Sequence, residues 1–297
     1  MVLCPVVITM TNKSSGGESP VGTPTDKILA DPLLSVKVAT VGVPTGFSPL
    51  SGLSESDQIL LLESLKELKK REPYWKLNKY QPYKWQQEFI QASSTCAQLL
   101  AMTGNRCGKT YTGAGIMAIH LTGLYPTWWT GKRFDNAINA WASGISTDTT
   151  RDIIQSELLG DWRDASKYGM GMIPKEMIIE TVNKPGVPGA VQAVIVKHIS
   201  GKNSTLAFKS YEMSQDKFMG TSIDLVWLDE ECPKDIFTQC VTRTATTGGI
   251  VYLTFTPELG LTEIVKDFLY DIKPGQFMVS ASWDDAPHLS DAIKEQL

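Results

Sequence analysis

The stretch LLAMTGNRCGKTYTGAG, Leu99 to Gly115, constrains the fold more than any other part of this chain of 297 residues. It begins with a short apolar run, continues through a polar loop and ends in a sequence with the character of a helix. A loop in this position can point its backbone N–H groups at an anion, and the start of the following helix adds a favourable dipole. The stretch therefore predicts a strand, a phosphate-binding loop and a helix in direct succession.

The loop departs at one position from the usual phosphate-loop (Walker A) pattern, G-x-x-x-x-G-K-[ST]. Thr103 stands where the pattern has its first glycine, and Gly104 follows one residue later. Lys109 would reach the β- and γ-phosphates of a nucleotide, and the Thr110 hydroxyl would bind Mg²⁺. Taken alone, this loop could also match the pattern by chance, because G-K-T occurs after other kinds of turn. The residues that we expect to surround the phosphates are Thr103, Gly104, Asn105, Arg106, Cys107, Gly108, Lys109 and Thr110.

A second motif supplies the carboxylates that an ATP-hydrolysing site requires. The run IDLVWLDEEC is an apolar strand candidate that ends in Asp229, Glu230 and Glu231. Such a site needs one carboxylate for Mg²⁺ and another group beside it to orient or deprotonate the attacking water. We assign the metal to Asp229 and the water to Glu230. Glu231 is expected to favour the start of the helix that CPKD opens.

A third motif, YLTFTPELG, is another buried strand candidate with a polar end. Its last residues include Thr254, Thr256 and Pro257. Hydroxyl groups at a strand end beside the phosphates can sense the γ-phosphate, so we expect these three residues to couple hydrolysis to movement. The three motifs follow one another in the order that an ATPase site needs, and together they are far more specific than any of them alone.

Strand and helix signals alternate along the rest of the chain. DTTRDIIQSELLG predicts a helix capped by Asp148, and AVQAVIVKHISGKNSTLAFKSY predicts a hairpin about Gly201 to Asn203. Alternation of this kind implies a mostly parallel central sheet with helices on both faces. The predicted fold class is α/β, a P-loop NTPase of the RecA/ASCE-like type.

Composition excludes several other classes of protein. The net charge of −4 provides no overall basic field for nucleic acid, so any DNA contact would be local or built by assembly. The five cysteines form no C-x-x-C pair and the three histidines lack metal-ligand spacing, which favours a reduced, cytoplasmic protein without structural zinc. No apolar run approaches the roughly 20 residues of a membrane span, so no membrane association is expected.

The first part of the chain reads differently from the remainder. Residues 1–53 are rich in Ser, Thr, Pro and Gly and are expected to form a disordered extension, with the ATPase domain over residues 54–297. SESDQILLLESLKELKKRE predicts a helix with an apolar stripe of leucines and a basic end. The basic end favours a solvated helix face, with a contact to DNA or to a ring neighbour as the alternative. The stripe consists of Leu61, Leu62, Leu65 and Leu68.

TGNRCGKT, VWLDEEC and LTFTP, in this order and spacing, resemble the ATPase domain of the large subunit of tailed-phage terminases, the DNA-packaging motors. The resemblance is strongest to the headful-packaging branch of short-tailed phages, and HLTGLYP, IPKEMI and WDDAPHLS agree with it. It implies that ATP hydrolysis with Mg²⁺ drives double-stranded DNA into a procapsid. It also implies a ring of subunits, partnership with the portal protein and the terminase small subunit, and a place in the cytoplasm of a bacterial host.

The resemblance also suggests roles for individual residues. In YQPYKWQQEF, Tyr83 would border the adenine base and Gln86 would hydrogen-bond its edge, with Gln87 as the competitor for that role. Arg106, inside the loop, would stabilise transition-state charge within its own subunit. Arg151 is the rival for this catalytic role, acting from a neighbouring subunit.

The chain departs from the family pattern in three ways. Thr103 replaces a small residue, and Cys107 within the loop suggests sensitivity to thiol reagents. The family normally continues into a ribonuclease-H-like nuclease domain, whereas this sequence ends at Leu297, so we expect no nuclease activity from it.

Other functions remain possible at the level of sequence. One is a non-catalytic nucleotide-binding assembly module from a truncated prophage gene, and another is a different P-loop DNA-dependent ATPase. A small-molecule kinase is disfavoured because residues 160–230 contain few arginines for a lid.

Overall fold

The computed structural model describes residues 54, 56, 59, 60, 63, 76–257, 260 and 262–295. The chain divides into two compact units, Met1–Leu68 and Lys69–Leu297. In the first unit, the described residues Ser56, Ile59, Leu60 and Glu63 are helical. The predicted extension over residues 1–53 and the leucine stripe lie outside the described residues.

The second unit alternates strands and helices as the sequence predicts. Its strands are β1 (Gln98–Thr103), β2 (Asn139–Gly144), β3 (Ile178–Asn183), β4 (Val191–Lys197), β5 (Asn203–Ser210), β6 (Leu225–Asp229), β7 (Ile250–Phe255) and β8 (Gln276–Ala281). Its main helices are α1 (Lys84–Ala92), α2 (Lys109–Thr122), α3 (α-helical over Thr147–Thr149 and Ser156–Leu159 with a π-helical stretch, Thr150–Gln155, between), α4 (Lys234–Ala245), α5 (Glu263–Tyr270) and α6 (Asp291–Lys294).

The strands form one eight-stranded sheet in the order β3-β4-β5-β2-β6-β7-β1-β8. The six strands from β5 to β8 in this order pair in parallel, and β3, β4 and β5 pair antiparallel. The predicted α/β class and the hairpin between β4 and β5 are therefore confirmed. Strand β3 was not predicted. It is an edge strand whose residues are all exposed or half-buried, so it lacks the apolar run that identifies a central strand.

Alternate residues of the central strands enter two apolar clusters on opposite faces of the sheet. In β6, Trp227 belongs to the cluster that contains residues of α1, α2 and α3. Its neighbours Val226 and Leu228 belong to the other cluster, with residues of α4 and α5. Side chains on successive strand residues point to opposite faces, so this alternation shows a sheet covered by helices on both sides.

The helix that follows the phosphate loop packs unusually close to the sheet. A Cβ atom on Gly113 would lie 2.2 Å from the Trp227 ring, which is nearer than any real contact. Trp227 in turn stacks on Tyr252 of β7 with an angle of 7° between the rings. Glycine at position 113 therefore sets how near the first turns of α2 lie to β6.

The predicted helix of residues 148–160 is confirmed, but the prediction that Asp148 caps it is wrong. The N-cap is Ser146, whose side chain accepts from the Thr149 N–H at 3.1 Å, and Asp148 lies within the first turn. A serine two residues earlier can cap a helix as well as an aspartate, so the pattern did not distinguish them.

His120 is buried on α2 among three aromatic rings, those of Tyr125, Trp129 and Phe134. Its Nδ1 shares a hydrogen bond of 2.9 Å with the Tyr125 hydroxyl. Burial, with a smaller effect from Lys132, lowers the pKa of His120 to about 3. The histidine is therefore neutral at physiological pH and packs as part of the core.

None of the helices in the described ranges combines the length and the apolar character that crossing a bilayer requires.

Candidate nucleotide-binding site

The phosphate loop lies between the carboxyl end of β1 and the start of α2. Gly108 precedes the helix with a φ of 88°, a left-handed conformation that favours glycine, and Arg106 has a φ of 65°. Thr103 is buried as the last residue of β1, and the Gly104 N–H donates to the Ala281 carbonyl at 3.1 Å. The missing first glycine thus falls on the strand, and the turn begins at Gly104.

Lys109 is the first residue of α2, and its side chain turns back over the loop. The residue is only 7% exposed, and its ammonium group donates to the Gly104 carbonyl at 3.4 Å and to the Thr256 hydroxyl. The Thr256 hydroxyl also donates to Asn105 Oδ1 at 3.0 Å. Thr256, just after β7, therefore bridges the lysine and the loop.

The predicted metal residues meet at the ends of β6 and α2. The Thr110 hydroxyl donates to Asp229 Oδ2 at 3.2 Å, and the Thr254 hydroxyl donates to Asp229 Oδ1 at 2.7 Å. Trp227 Nε1 donates to the same Thr254 oxygen at 2.8 Å. Burial raises the pKa of Asp229 to about 7, against the opposing effects of the two hydroxyl groups. A buried carboxylate of this kind is best stabilised by a cation beside it.

Glu230 and Glu231 separate into different environments immediately after β6. Glu230 has a φ of 64° and its N–H donates to the Thr254 carbonyl at 2.9 Å. The Glu231 carboxylate accepts from the Thr262 hydroxyl, which caps α5 by accepting from the Val265 N–H at 3.5 Å. Helix α4 begins three residues after Glu231, so the prediction that Glu231 supports the start of α4 is wrong.

A cavity of about 380 Å³ lies beside the loop on the side of α1. It is lined by Tyr83 and Gln86, together with Gly108 of the loop. Gln86 is buried, and its Oε1 accepts from the Tyr83 N–H at 2.8 Å. Gln87 is exposed and bonds the Pro82 carbonyl instead. The structure therefore brings Gln86, and not its competitor, to the cavity.

The two candidate arginines lie in different settings. Arg106 is exposed at the tip of the loop. Arg151 on α3 forms ion pairs with Asp148 at 3.1 Å and Asp152 at 2.8 Å, and its guanidinium lies 4.0 Å from the centre of the Trp162 ring. Within this chain, Arg151 is held by its own surroundings and does not reach the loop residues.

Cys107 is buried within the loop, and burial raises the pKa of its thiol. A reactive cysteine needs an accessible group with a lowered pKa. Burial and the raised pKa therefore disfavour the predicted sensitivity to thiol reagents, because the loop folds this side chain inward.

Three residues of the site were missed by sequence reasoning. Trp283 Nε1 donates to the Asn105 carbonyl at 2.9 Å. His288 lines the cavity and stacks on Tyr83, with its Nδ1 2.9 Å from the tyrosine hydroxyl. The Tyr211 hydroxyl donates to the backbone carbonyls of the two adjacent acids, Asp229 and Glu230. The run WDDAPHLS carried the first two, but nothing in its spacing indicates a nucleotide site.

Comparison with known proteins supports the interpretation of the motifs. Residues 100–297 match the model of the family described as "Terminase large subunit, T4likevirus-type, N-terminal". The chain is 35% identical over 265 residues to the terminase large subunit of Salmonella phage P22, covering 84% of this chain and 53% of the relative. It is 26% identical over 269 residues to the terminase large subunit of Enterobacteria phage LP7, covering 84% of this chain and 55% of the relative. The chain thus spans about half the length of these curated relatives.

Among solved structures, the fold is similar to that of the large terminase from a thermophilic bacteriophage, determined in complex with ADP. The TM-score is 0.50 at 13% sequence identity, over 72% of this chain and 49% of that chain. At this identity the likeness concerns the fold alone, and it agrees with the parallel sheet and flanking helices described above. The match to the family model, which runs from residue 100 to residue 297, establishes that the chain belongs to the family of terminase large subunits.

Proposed function

We propose that this chain binds ATP with Mg²⁺ and hydrolyses it, as the motor domain that drives double-stranded DNA into a procapsid. The observation that carries the proposal is the convergence of Lys109, Thr110 and Asp229 at one edge of the sheet. A cationic side chain, a hydroxyl and a buried carboxylate at a helix start form the set that nucleotide phosphates and their cation require.

The donor set fits Mg²⁺. The Thr110 hydroxyl and an Asp229 carboxylate oxygen lie 3.2 Å apart, and both are the hard oxygen ligands that this ion prefers. Mg²⁺ is usually held by one or two protein oxygens together with phosphates and waters. The described residues contain no group of three or more His, Cys, Asp or Glu side chains suited to a metal. A Mg²⁺ site with one carboxylate and one hydroxyl from the protein does not need such a group. When bound, the ion would neutralise charge on the β- and γ-phosphates.

The chain's own residues divide the remaining work. Lys109 neutralises the terminal phosphates, and the loop N–H groups orient them. The Glu230 carboxylate orients the attacking water and accepts its proton. Arg106, at the exposed loop tip, provides positive charge to the developing transition state from within the subunit. Arg151 is its rival for this role, and would act from a neighbouring subunit once its pairs with Asp148 and Asp152 are released.

The adenine base of ATP binds in the cavity beside α1, with the Tyr83 ring along the face of the adenine. Because Gln86 Oε1 is occupied by the Tyr83 N–H, its Nε2 is the group that would donate to the base. Loss of the γ-phosphate is sensed first by Thr256, which contacts both Lys109 and Asn105. Thr254 acts one step deeper by holding Asp229, and Pro257 continues the same segment away from the site.

The remaining parts of the proposal rest on family membership. They are a ring of copies on the procapsid, contact with the portal protein and the terminase small subunit, and action in the cytoplasm of a bacterial host. The P22 and LP7 relatives support them as terminase large subunits that match most of this chain. The chain covers only about half of either relative, so these functions are proposed from the part that is shared.

A hydrolysis assay tests the enzymatic part of the proposal. We expect ATP turnover by the purified chain to require Mg²⁺ and to fall about 100-fold or more in Lys109→Met, because the phosphates lose their counter-charge. Lys202→Met changes an exposed lysine in the turn between β4 and β5 and should leave the rate unaltered. Equal rates in wild type and Lys109→Met would contradict the proposed site.

A packaging assay tests the motor part. Procapsids with portal protein, the small subunit and this chain should protect duplex DNA from added nuclease only when ATP is present. Lys109→Met should abolish the protection, and Lys202→Met should not. ATP hydrolysis without any protection of DNA would overturn the motor while leaving the ATPase in place.

A further inference from the structure

A tyrosine outside all of the sequence motifs reaches the backbone of the acid pair. Tyr211 follows β5 directly, and its hydroxyl lies 2.9 Å from the Asp229 carbonyl and 3.1 Å from the Glu230 carbonyl. The Ser143 carbonyl of β2 lies 3.3 Å from the same oxygen. One donor therefore faces three carbonyls at the ends of two neighbouring strands, in the position where β6 turns away from the sheet.

The turn that the tyrosine contacts is a strained one. Glu230 has a φ of 64°, which a residue with a Cβ atom rarely adopts, and such outliers persist only where surrounding contacts hold them. On the amide side, the Glu230 N–H donates to the Thr254 carbonyl at 2.9 Å. On the carbonyl side, the Tyr211 hydroxyl contacts the carbonyl oxygens of both peptide units. The conformation decides where the Glu230 carboxylate points.

The tyrosine is itself firmly placed. Its N–H donates to the Gly144 carbonyl at the end of β2 at 2.9 Å, and its ring packs against the apolar cluster of α4 and α5. The next residue, Glu212, accepts from the Thr147 N–H at the start of α3 at 3.4 Å. Tyr211 is thus anchored on β2 and lies close to α3. It can therefore fix the position of the Asp229–Glu230 turn relative to both elements.

Asp229 and Glu230 are therefore held in different ways. The Asp229 side chain is fixed by two hydroxyl groups, those of Thr110 and Thr254. At Glu230, Tyr211 and Thr254 contact the backbone, and the backbone conformation sets the direction in which the carboxylate leaves the turn. We propose that Tyr211 is a positioning residue, which holds Glu230 in the left-handed conformation that aims its carboxylate at the attacking water. The inference rests on the proposed ATPase function and adds a residue to it.

The test compares Tyr211→Phe with Tyr125→Phe. Tyr125 serves as the control, because its hydroxyl is also hydrogen-bonded, to the Phe134 N–H at 2.7 Å and to His120 Nδ1 at 2.9 Å, but away from the phosphate loop. We expect Tyr211→Phe to lower kcat for ATP about 10-fold, equivalent to about 1.4 kcal/mol in the barrier. KM for ATP should stay within about twofold, since phosphate and base contacts are intact. Tyr125→Phe should keep both constants.

Amide hydrogen exchange provides the second readout. In Tyr211→Phe, peptides that contain residues 229–232 should exchange faster than in wild type, and in Tyr125→Phe they should not. An unchanged kcat in Tyr211→Phe would overturn the inference. So would a lower kcat in Tyr125→Phe, if the two variants lose kcat in proportion to their loss of stability. A wild-type chain without ATP turnover would instead overturn the proposed function on which the inference depends.

Discussion

Replacing Thr254 by valine tests the hydrogen-bond chain beneath the site most sharply. The Thr254 hydroxyl is fully buried, accepts from Trp227 Nε1 at 2.8 Å and donates to Asp229 Oδ1 at 2.7 Å. Valine has nearly the same shape, so the substitution removes both bonds and creates no cavity. It leaves a buried indole N–H without its acceptor and a buried carboxylate without one of its donors.

The cost can be worked out from these two losses. An unsatisfied buried donor costs about 1–3 kcal/mol, and a hydrogen bond to a charged group is worth about 1.5–3 kcal/mol. Allowing for partial relaxation, we expect the free energy of unfolding to fall by about 3 kcal/mol. For a domain of this size, such a loss lowers Tm by about 6–12 °C. The pKa of Asp229 should also rise further, because the Thr254 bond lowers it in the wild type.

Thermal and urea unfolding of the two variants Thr254→Val and Thr244→Val measures this directly. Thr244 is also buried, but its hydroxyl donates to carbonyls of its own helix, Cys240 and Val241, which keep their helical partners. We expect Thr244→Val to cost less than about 1 kcal/mol. If both variants unfold at the same midpoint, the chain of bonds from Trp227 to Asp229 does not stabilise the site and the reasoning fails.

Three further predictions concern other parts of the structure. At an exposed helix position, Gly→Ala raises the free energy of unfolding by about 1 kcal/mol. At Gly113 the added Cβ meets the Trp227 ring, so we expect urea unfolding of Gly113→Ala to show a free energy of unfolding about 2–3 kcal/mol lower than in the wild type. A higher value would refute the close packing. His120 has a folded-state pKa lowered to about 3 from an ordinary 6.5, so its contribution to stability is present above pH 6.5 and is lost as pH falls. Between pH 7 and pH 5 the wild type should lose about 2 kcal/mol more than His120→Gln, and parallel pH profiles would contradict this. Tyr83→Ala should raise KM for ATP about 10-fold while Gln87→Ala does not, and the reverse pattern would exclude the cavity as the base site.

The elements that the sequence predicts correctly are those whose signal is local. The phosphate loop needs a strand, a tight turn and a helix within a short stretch, and Leu99 to Gly115 contains all three. The carboxylates of β6 were recognisable because a buried apolar run ended in Asp229 and Glu230. Parallel strands bring such ends to one edge of a sheet, so the contact between Asp229 and Thr110 followed from the fold class.

The parts that could not be predicted depend on contacts across the chain. Trp283 bonds a carbonyl 178 positions away, and Tyr83 pairs with His288 at a separation of 205 positions. Tyr211 acts through backbone carbonyls, which have no sequence signature. The inward turn of Cys107 follows from the path of the loop and not from its composition. In each case the residue type was visible, but the fold decided its partner.

The most direct test of the account is ATP hydrolysis by Glu230→Gln and Glu231→Gln measured beside the wild type. The two acids are adjacent in sequence, but Glu230 lies on the left-handed turn at the site and Glu231 bonds the cap of α5. We predict that Glu230→Gln still binds ATP and loses turnover by about 100-fold or more, whereas Glu231→Gln keeps it within a few fold. Full activity in Glu230→Gln, or loss of turnover confined to Glu231→Gln, would contradict the central claim.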